Sequence, residues 1–225
     1  MSTRHDWNIS PKEAIALQKD LAGRVERRDR LPAGGWRGLE TVAGLDVAFE
    51  SGGKVTRGAV VALRLHTLEP VAEAVARQPT EFPYVTGLLS FREVPVLLDA
   101  LAMLPAAPDI LMCDGNGLAH LRRFGIACHL GLVTGLPAIG VGKSRLVGVH
   151  DEPVVEKGDW TPLLDETRGE RLGAVLRTRA KVKSVYVSTG HRVSLRTALA
   201  VALHCAVKCR LPEPVRLADK LSKAG

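Results

Sequence analysis

Three strand-length runs, joined by links too short to hold a helix, constrain this chain more than any other feature. Residues 41–50, 54–67 and 70–78 are rich in Val, Ala and Leu. Gly52-Gly53 turns the first run into the second, and Leu68-Glu69-Pro70 turns the second into the third. Links this short permit only antiparallel neighbours, so the runs form a meander. The pattern then changes. A helical stretch (90–104) precedes a short apolar strand (109–113), and a small-residue helix (124–133) precedes another (137–141). Alternation of this kind predicts parallel strands with helices packed over them. Strand-like residues 174–177 and 184–188 follow, then helices over 194–208 and around 215–222, while the charged, weakly patterned 151–169 reads as a loop or insertion.

With the first strand central, that order gives an α/β fold of ribonuclease H-like type. It has a mixed central sheet, an antiparallel three-strand meander plus parallel strands, flanked by helices. Ahead of it, Ser10, Pro11 and Glu13 form an N-cap, a first-turn proline and a capping-box glutamate, opening a helix expected over about 10–30. The arginines at its end (Arg24, Arg27, Arg28 and Arg30) read mostly as a solvated face that complements the helix C-terminus. A single domain over 1–225 is expected, with a core over about 36–222, since 46% hydrophobic residues suffice for one sizeable core.

The net charge of +7 suits a polyanionic partner, though a binder of small phosphorylated metabolites is compatible with it too. Cys113, Cys128, Cys205 and Cys209 form no CxxC pair and read as free core thiols, as in a reducing compartment. Without a signal pattern or an apolar run approaching ~20 residues, the expectation is a cytoplasmic protein with no membrane contact.

Two acids stand out against apolar surroundings. Asp46 interrupts Val42-Ala43-Gly44-Leu45-Asp46-Val47-Ala48, and Asp114 ends Ile110-Leu111-Met112-Cys113-Asp114-Gly115. A buried, unpaired carboxylate costs several kcal/mol, so each needs compensation. Alone, Asp46 is better explained by an exposed strand face or a salt bridge, and Asp114-Gly115 by a turn. On parallel neighbouring strands, however, the pair would face each other and repel unless they held a proton or a metal. Glu93 admits two readings: with Ser90 it completes a capping box, yet Pro95 argues for a helix starting nearer Glu93, where its carboxylate could join the acidic pair. Three acids without a His or Cys cluster select a hard cation, Mg²⁺ or Mn²⁺. Lys143, beyond the 137–141 strand, would add positive charge to a phosphate, or is an ordinary surface lysine.

Six stretches together resemble the endonuclease V family. They are Ala43-Gly44-Leu45-Asp46-Val47-Ala48; Tyr84-Val85-Thr86-Gly87-Leu88-Leu89-Ser90-Phe91-Arg92-Glu93; Asp114-Gly115-Asn116-Gly117-Leu118-Ala119-His120 with Arg122-Arg123-Phe124-Gly125-Ile126-Ala127; Ile139-Gly140-Val141-Gly142-Lys143-Ser144; Tyr186-Val187-Ser188-Thr189-Gly190-His191-Arg192; and Arg210-Leu211-Pro212-Glu213-Pro214-Val215-Arg216-Leu217-Ala218-Asp219. The resemblance implies a deoxyinosine 3′ endonuclease of DNA repair that hydrolyses the second phosphodiester bond 3′ to the deaminated base, leaving a 3′-hydroxyl and a 5′-phosphate.

The same resemblance assigns Asp46 and Asp114 as Mg²⁺ ligands, with Mn²⁺ the alternative, and Glu93 as a third catalytic carboxylate. It sets His120 and Lys143 by the metal and scissile phosphate, and Asp219 nearby. Tyr84 belongs to a wedge beside the base, and a core or rim aromatic is its bland reading. Gly87, Gly115, Asn116 and Gly117 would let main chain approach the extruded base, and Arg122 and Arg123 would contact nucleic acid. The implied partner is deoxyinosine-containing DNA, bound by a monomer, with inosine-containing single-stranded RNA the alternative. Thr86 stands where the family's Tyr-x-Pro-Gly wedge has proline, Leu121 replaces another proline, and Gly142 replaces an alanine.

Overall fold

A computed structural model describes residues 5–224. The meander forms as expected. β1 (Thr41–Glu50) pairs antiparallel with β2 (Val55–Arg64), which pairs antiparallel with β3 (Pro70–Pro79). Helix α2 (Leu89–Ala102) leads to β4 (Ile110–Asp114), and α3 (Ile126–Thr134) leads to β5 (Ala138–Gly142). β1, β4 and β5 run parallel, with β1 between β2 and β4. The order β3-β2-β1-β4-β5 is the ribonuclease H-like arrangement that the element order predicts.

Beyond β5 the sheet continues through β8 (Val185–His191), β7 (Arg171–Leu176) and β6 (Trp160–Leu164), all antiparallel. β6 corrects the expectation of a loop over 151–169. It is an edge strand carrying Pro162, with only Leu163 fully buried, so it lacks the alternating apolar face that marks a strand in sequence.

Helices cover both faces. Val42, Val61, Met112 and Val141 point toward α4 (Leu195–Cys205) and α5 (Glu213–Lys223), while Leu45, Val60, Leu111 and Ala138 point toward α2 and α3. This double coverage is why β1 and β4 read as near-continuous apolar runs. α1 (Pro11–Ala22) lies outside α2 and α3, inserting Ala14 and Leu21 among Phe82, Phe91 and Phe124.

The Ser10–Glu13 capping box is present, but α1 stops at Gly23 and does not reach residue 30. Of the arginines beyond it, Arg24 pairs with Asp20, Arg27 with Glu170 and Arg30 with Glu26. α4 likewise ends before residue 208. Cys113, Cys128 and Cys205 are buried free thiols, whereas Cys209 lies past the helix and is exposed.

Candidate active site

Parallel pairing of β1 with β4 sets the geometry. Leu45 is level with Cys113, so Asp46 and Asp114, each one residue further on, emerge side by side at the same end of the sheet. α5 lies across β1 and supplies Asp219. One carboxylate oxygen from each of Asp46, Asp114 and Asp219 lies within 4.8 Å of the others. Ser222, one turn beyond Asp219 and buried, donates its hydroxyl to Asp46 Oδ2 at 2.7 Å. The ammonium of Lys143 sits between Asp114 Oδ2, at 2.5 Å, and Asp219. Lys223 also reaches Asp219, on the same Oδ1, at 2.7 Å.

The acids hold one another's charge at a disadvantage. Burial, with the charges of Asp46 and Asp219, pushes Asp114 up to about 6 even though Lys143 opposes the shift. Glu93 rises to about 8, through burial first and then through Asp46 and Asp114. Asp219 goes the other way: burial works against its charge, but the bonds from Lys143 and Lys223 outweigh it. Lys143 is held above the usual lysine range by its two carboxylate partners despite partial burial. Three hard oxygen donors that repel each other and already draw in an ammonium suit a divalent cation. The residues present therefore fit a metal, which Asp46, Asp114 and Asp219 could hold.

Glu93 stands beside this cluster rather than in it. Neither helix-start reading holds: α2 begins at Leu89 with Leu88 at its cap position and no side chain capping it, and Pro95 lies inside the helix, so Glu93 is neither a capping-box residue nor at the helix start. Ser90 Oγ is instead engaged with the buried ring of His129, 3.0 Å from Nδ1. Glu93 is thereby left facing the cleft. Sequence reasoning treated Asp219 as peripheral and missed Ser222 altogether. Only the spacing of three on an amphipathic helix could have linked the two, and nothing in the sequence says which strand that helix crosses.

Next to the acids lies a hollow of about 180 Å³, lined by Tyr84, Gly87, Glu93, Asp114, Asn116 and His120 among others. Tyr84 stands at its mouth, 75% exposed, which excludes a core position and places it on the rim. Leu89 and Leu146, also exposed, add to the lining. Gly87 has φ +80, and a Cβ there would lie 2.7 Å from an Arg122 nitrogen, so the turn requires glycine. Gly115 lines the same hollow. Gly117 packs so tightly on β8 that a Cβ would approach the Thr189 carbonyl oxygen to 2.0 Å. Asn116 Oδ1 is buried with no hydrogen-bond partner among the described residues.

His120 lies in this hollow and outside the acid cluster. Burial, then Arg122 and Arg123, lower its pKa to about 4, and its Nδ1 accepts from the Arg122 backbone N–H. Its imidazole is therefore neutral. The guanidiniums of Arg122 and Arg123 are engaged by the protein itself. Arg122 joins Gln18 of α1 to the Gly87 carbonyl, at 2.7 Å from the latter. Arg123 pairs with Asp165 and Glu170 and donates to the His120 carbonyl. Arg122 ties the turn at Gly87 to α1, and Arg123 ties the loop after β4 to the β6–β7 turn.

The family model described as Endonuclease V matches residues 19–220. The chain belongs to the endonuclease V family. An endonuclease V of Azotobacter vinelandii is 52% identical over 217 residues, covering 96% of this chain and 95% of the relative. The crystal structure of endonuclease V from Streptomyces avermitilis superposes with a TM-score of 0.88 at 43% identity, covering 99% of this chain and 96% of that one. Endonuclease V of Ciona intestinalis, solved in complex with a 24mer DNA containing an inosine followed by a ribo-adenosine, superposes with a TM-score of 0.82 at 29% identity, covering 94% and 95% of the two chains. Membership makes the chain an endonuclease, and the acid cluster is where an endonuclease V fold of this sequence can hold a metal.

Proposed function

We propose that this endonuclease V acts in DNA repair on deoxyinosine strands, hydrolysing the second phosphodiester bond 3′ to the lesion and leaving a 3′-hydroxyl and a 5′-phosphate. The observation that carries this reading is the juxtaposition of Asp46, Asp114 and Asp219 with a glycine-lined hollow whose mouth holds an exposed tyrosine. The Ciona relative bound to inosine-containing DNA supports the choice of substrate. Mg²⁺, with Mn²⁺ as the alternative, is the ion that the three carboxylates suit. Such an ion lowers the pKa of water and neutralises charge on a transferring phosphate.

The chain's own groups supply the rest. A lesion must leave the base stack to be read, and Tyr84 is placed to fill the gap it leaves. The hollow, whose lining includes Gly87, Gly115 and Asn116, receives the extruded base. Lys143 places positive charge beside the scissile phosphate, and Glu93, which lines the hollow together with Asp114, is a carboxyl able to take or return a proton. The protein works as a single-domain, cytoplasmic monomer. No helix among the described residues is long and apolar enough to cross a membrane.

Matched DNA and RNA strands carrying one inosine, incubated with Mg²⁺, test the reading. DNA is expected to be nicked at the stated bond and an inosine-free strand left intact. Exclusive cleavage of RNA would shift the substrate to inosine RNA, and cleavage of neither would refute the reading.

Ser222 gives a second test. Its hydroxyl fixes Asp46, and groups that orient metal ligands typically contribute ~10–100-fold to metal affinity. Ser222→Ala is expected to weaken Mn²⁺ binding by roughly 10-fold in titration calorimetry, with Ser222→Thr retaining affinity. Unchanged affinity in the alanine variant would remove Ser222 from this role.

A further inference from the structure

A second concavity begins where the first ends. An open groove of about 560 Å³ is lined by Lys143, Arg145, Arg177, Lys181 and Lys183, with Glu152 its one acidic residue. The two hollows meet at the active site: Asp114 lines the first, Lys143 lines the second, and these two side chains are 2.5 Å apart. The segment 143–146 forms the ridge between them, with Leu146 on the hollow and Ser144 and Arg145 on the groove.

The basic residues of the groove divide by role. Arg177 is structural, donating to the carbonyls of Pro153, Val154 and Val182 and facing Glu152 at 3.6 Å. It ties the segment after β7 to the segment before β6, which gives the groove a fixed wall. Arg210 holds the Lys143 carbonyl in the same manner. Arg145, Lys181 and Lys183 are exposed and have no ion pair or side-chain hydrogen bond among the described residues. Lys181 is presented from a left-handed backbone position, φ +60, next to strand β8. Three unpaired cations on a rigid wall, leading away from a phosphate-cutting centre, suit the evenly spaced charges of a sugar–phosphate backbone.

Strand direction follows from the proposed function, on which this inference rests. The extruded base occupies the first hollow and the cut falls 3′ to it, so the strand runs 5′ to 3′ from hollow to acids. What lies past the acids is the 3′ side. We propose that the Arg145–Lys181–Lys183 groove binds phosphates of the substrate strand 3′ of the scissile bond.

Three deoxyinosine strands test this by binding in Ca²⁺ and by cleavage in Mg²⁺: one ending just past the cut, one extended 3′, and one extended 5′. The wild type is expected to bind the 3′-extended strand more tightly than the short one. The triple variant Arg145→Ala/Lys181→Ala/Lys183→Ala is expected to lose that gain. Its binding to the 3′-extended strand weakens by about 10-fold, and its log K against log salt slope falls by about 2, at ~0.7 per single-strand phosphate contact. It should cut the short strand like the wild type and keep any gain from 5′ extension. A variant that retains the 3′ gain, or loses both gains equally, overturns the groove assignment while leaving the proposed function standing. A wild type that neither binds nor cuts deoxyinosine strands overturns the proposed function itself.

Discussion

Asp46→Ala and Asp114→Ala are each expected to abolish nicking of a deoxyinosine strand while strand binding in Ca²⁺ survives. Each acid contributes one of the three carboxylates that converge among the described residues, so the loss of either leaves a site too poor in charge to keep the cation in place. The fall in kcat should be at least about 10³-fold, the upper scale on which removing one group that stabilises transition-state charge slows an enzyme. Folding should be little affected, because the acids repel one another. Asp114 is already pushed up to about 6 by burial and by its neighbours, so removing a carboxylate relieves repulsion on those that remain. Asp46→Ala leaves the Ser222 hydroxyl its second acceptor, the Asp219 carbonyl at 3.0 Å, so no buried donor is stranded. Single-turnover cleavage, a strand-binding titration and thermal melts of the variants separate these effects. Equal cleavage by variant and wild type would remove the residue from the mechanism. Loss of strand binding in step with cleavage would mean that the acids act on folding or docking instead.

The parts of this site that could be read from sequence are those fixed by short-range pattern. Asp46 and Asp114 each break an apolar strand, and strands buried on both faces announce their exceptions clearly. The meander was legible from two turns, at Gly52-Gly53 and Leu68–Pro70, because a link of two or three residues leaves no other topology. What escaped depends on contacts distant in the chain. Ser222 meets Asp46 across 176 residues, and only the packing of α5 over β1 brings them together. Ser90 and Glu93 have the spacing of a capping box, but tertiary packing overrides it, since His129 on α3 claims the serine. β6 was illegible for a different reason: a sheet edge with one buried residue carries almost no periodic signal. The protein partners of Arg122 and Arg123, namely Gln18, Asp165 and Glu170, come from other parts of the sequence and carry no local signal.

The dependence of the site on α5 leads to a substitution with a large effect at a residue that carries no reacting group. Gly44→Ala is expected to disable the enzyme although Gly44, two residues before Asp46 on β1, has no side chain to offer a metal or substrate. A Cβ on Gly44 would lie 1.9 Å from the Pro214 carbonyl oxygen and 2.1 Å from its carbonyl carbon. Both are backbone atoms at the start of α5, so no side-chain rotation relieves the overlap, and the helix must move by more than 1 Å to reach ordinary contact. α5 carries Asp219 and Ser222, so this movement pulls the third carboxylate away from Asp46 and Asp114 and releases the hydrogen bond that orients Asp46. Overpacking of a filled interior costs about 1–3 kcal/mol, and misplacing a catalytic group by about 1 Å costs about 10²-fold in rate. Gly44→Ala should therefore melt below the wild type, bind Mn²⁺ weakly and cut deoxyinosine strands about 10²-fold more slowly. Calorimetry reads the metal term independently of catalysis. A variant with wild-type melting and wild-type Mn²⁺ affinity would show that α5 does not seat against β1 through this glycine, and the account of how Asp219 reaches the other two acids would fall with it.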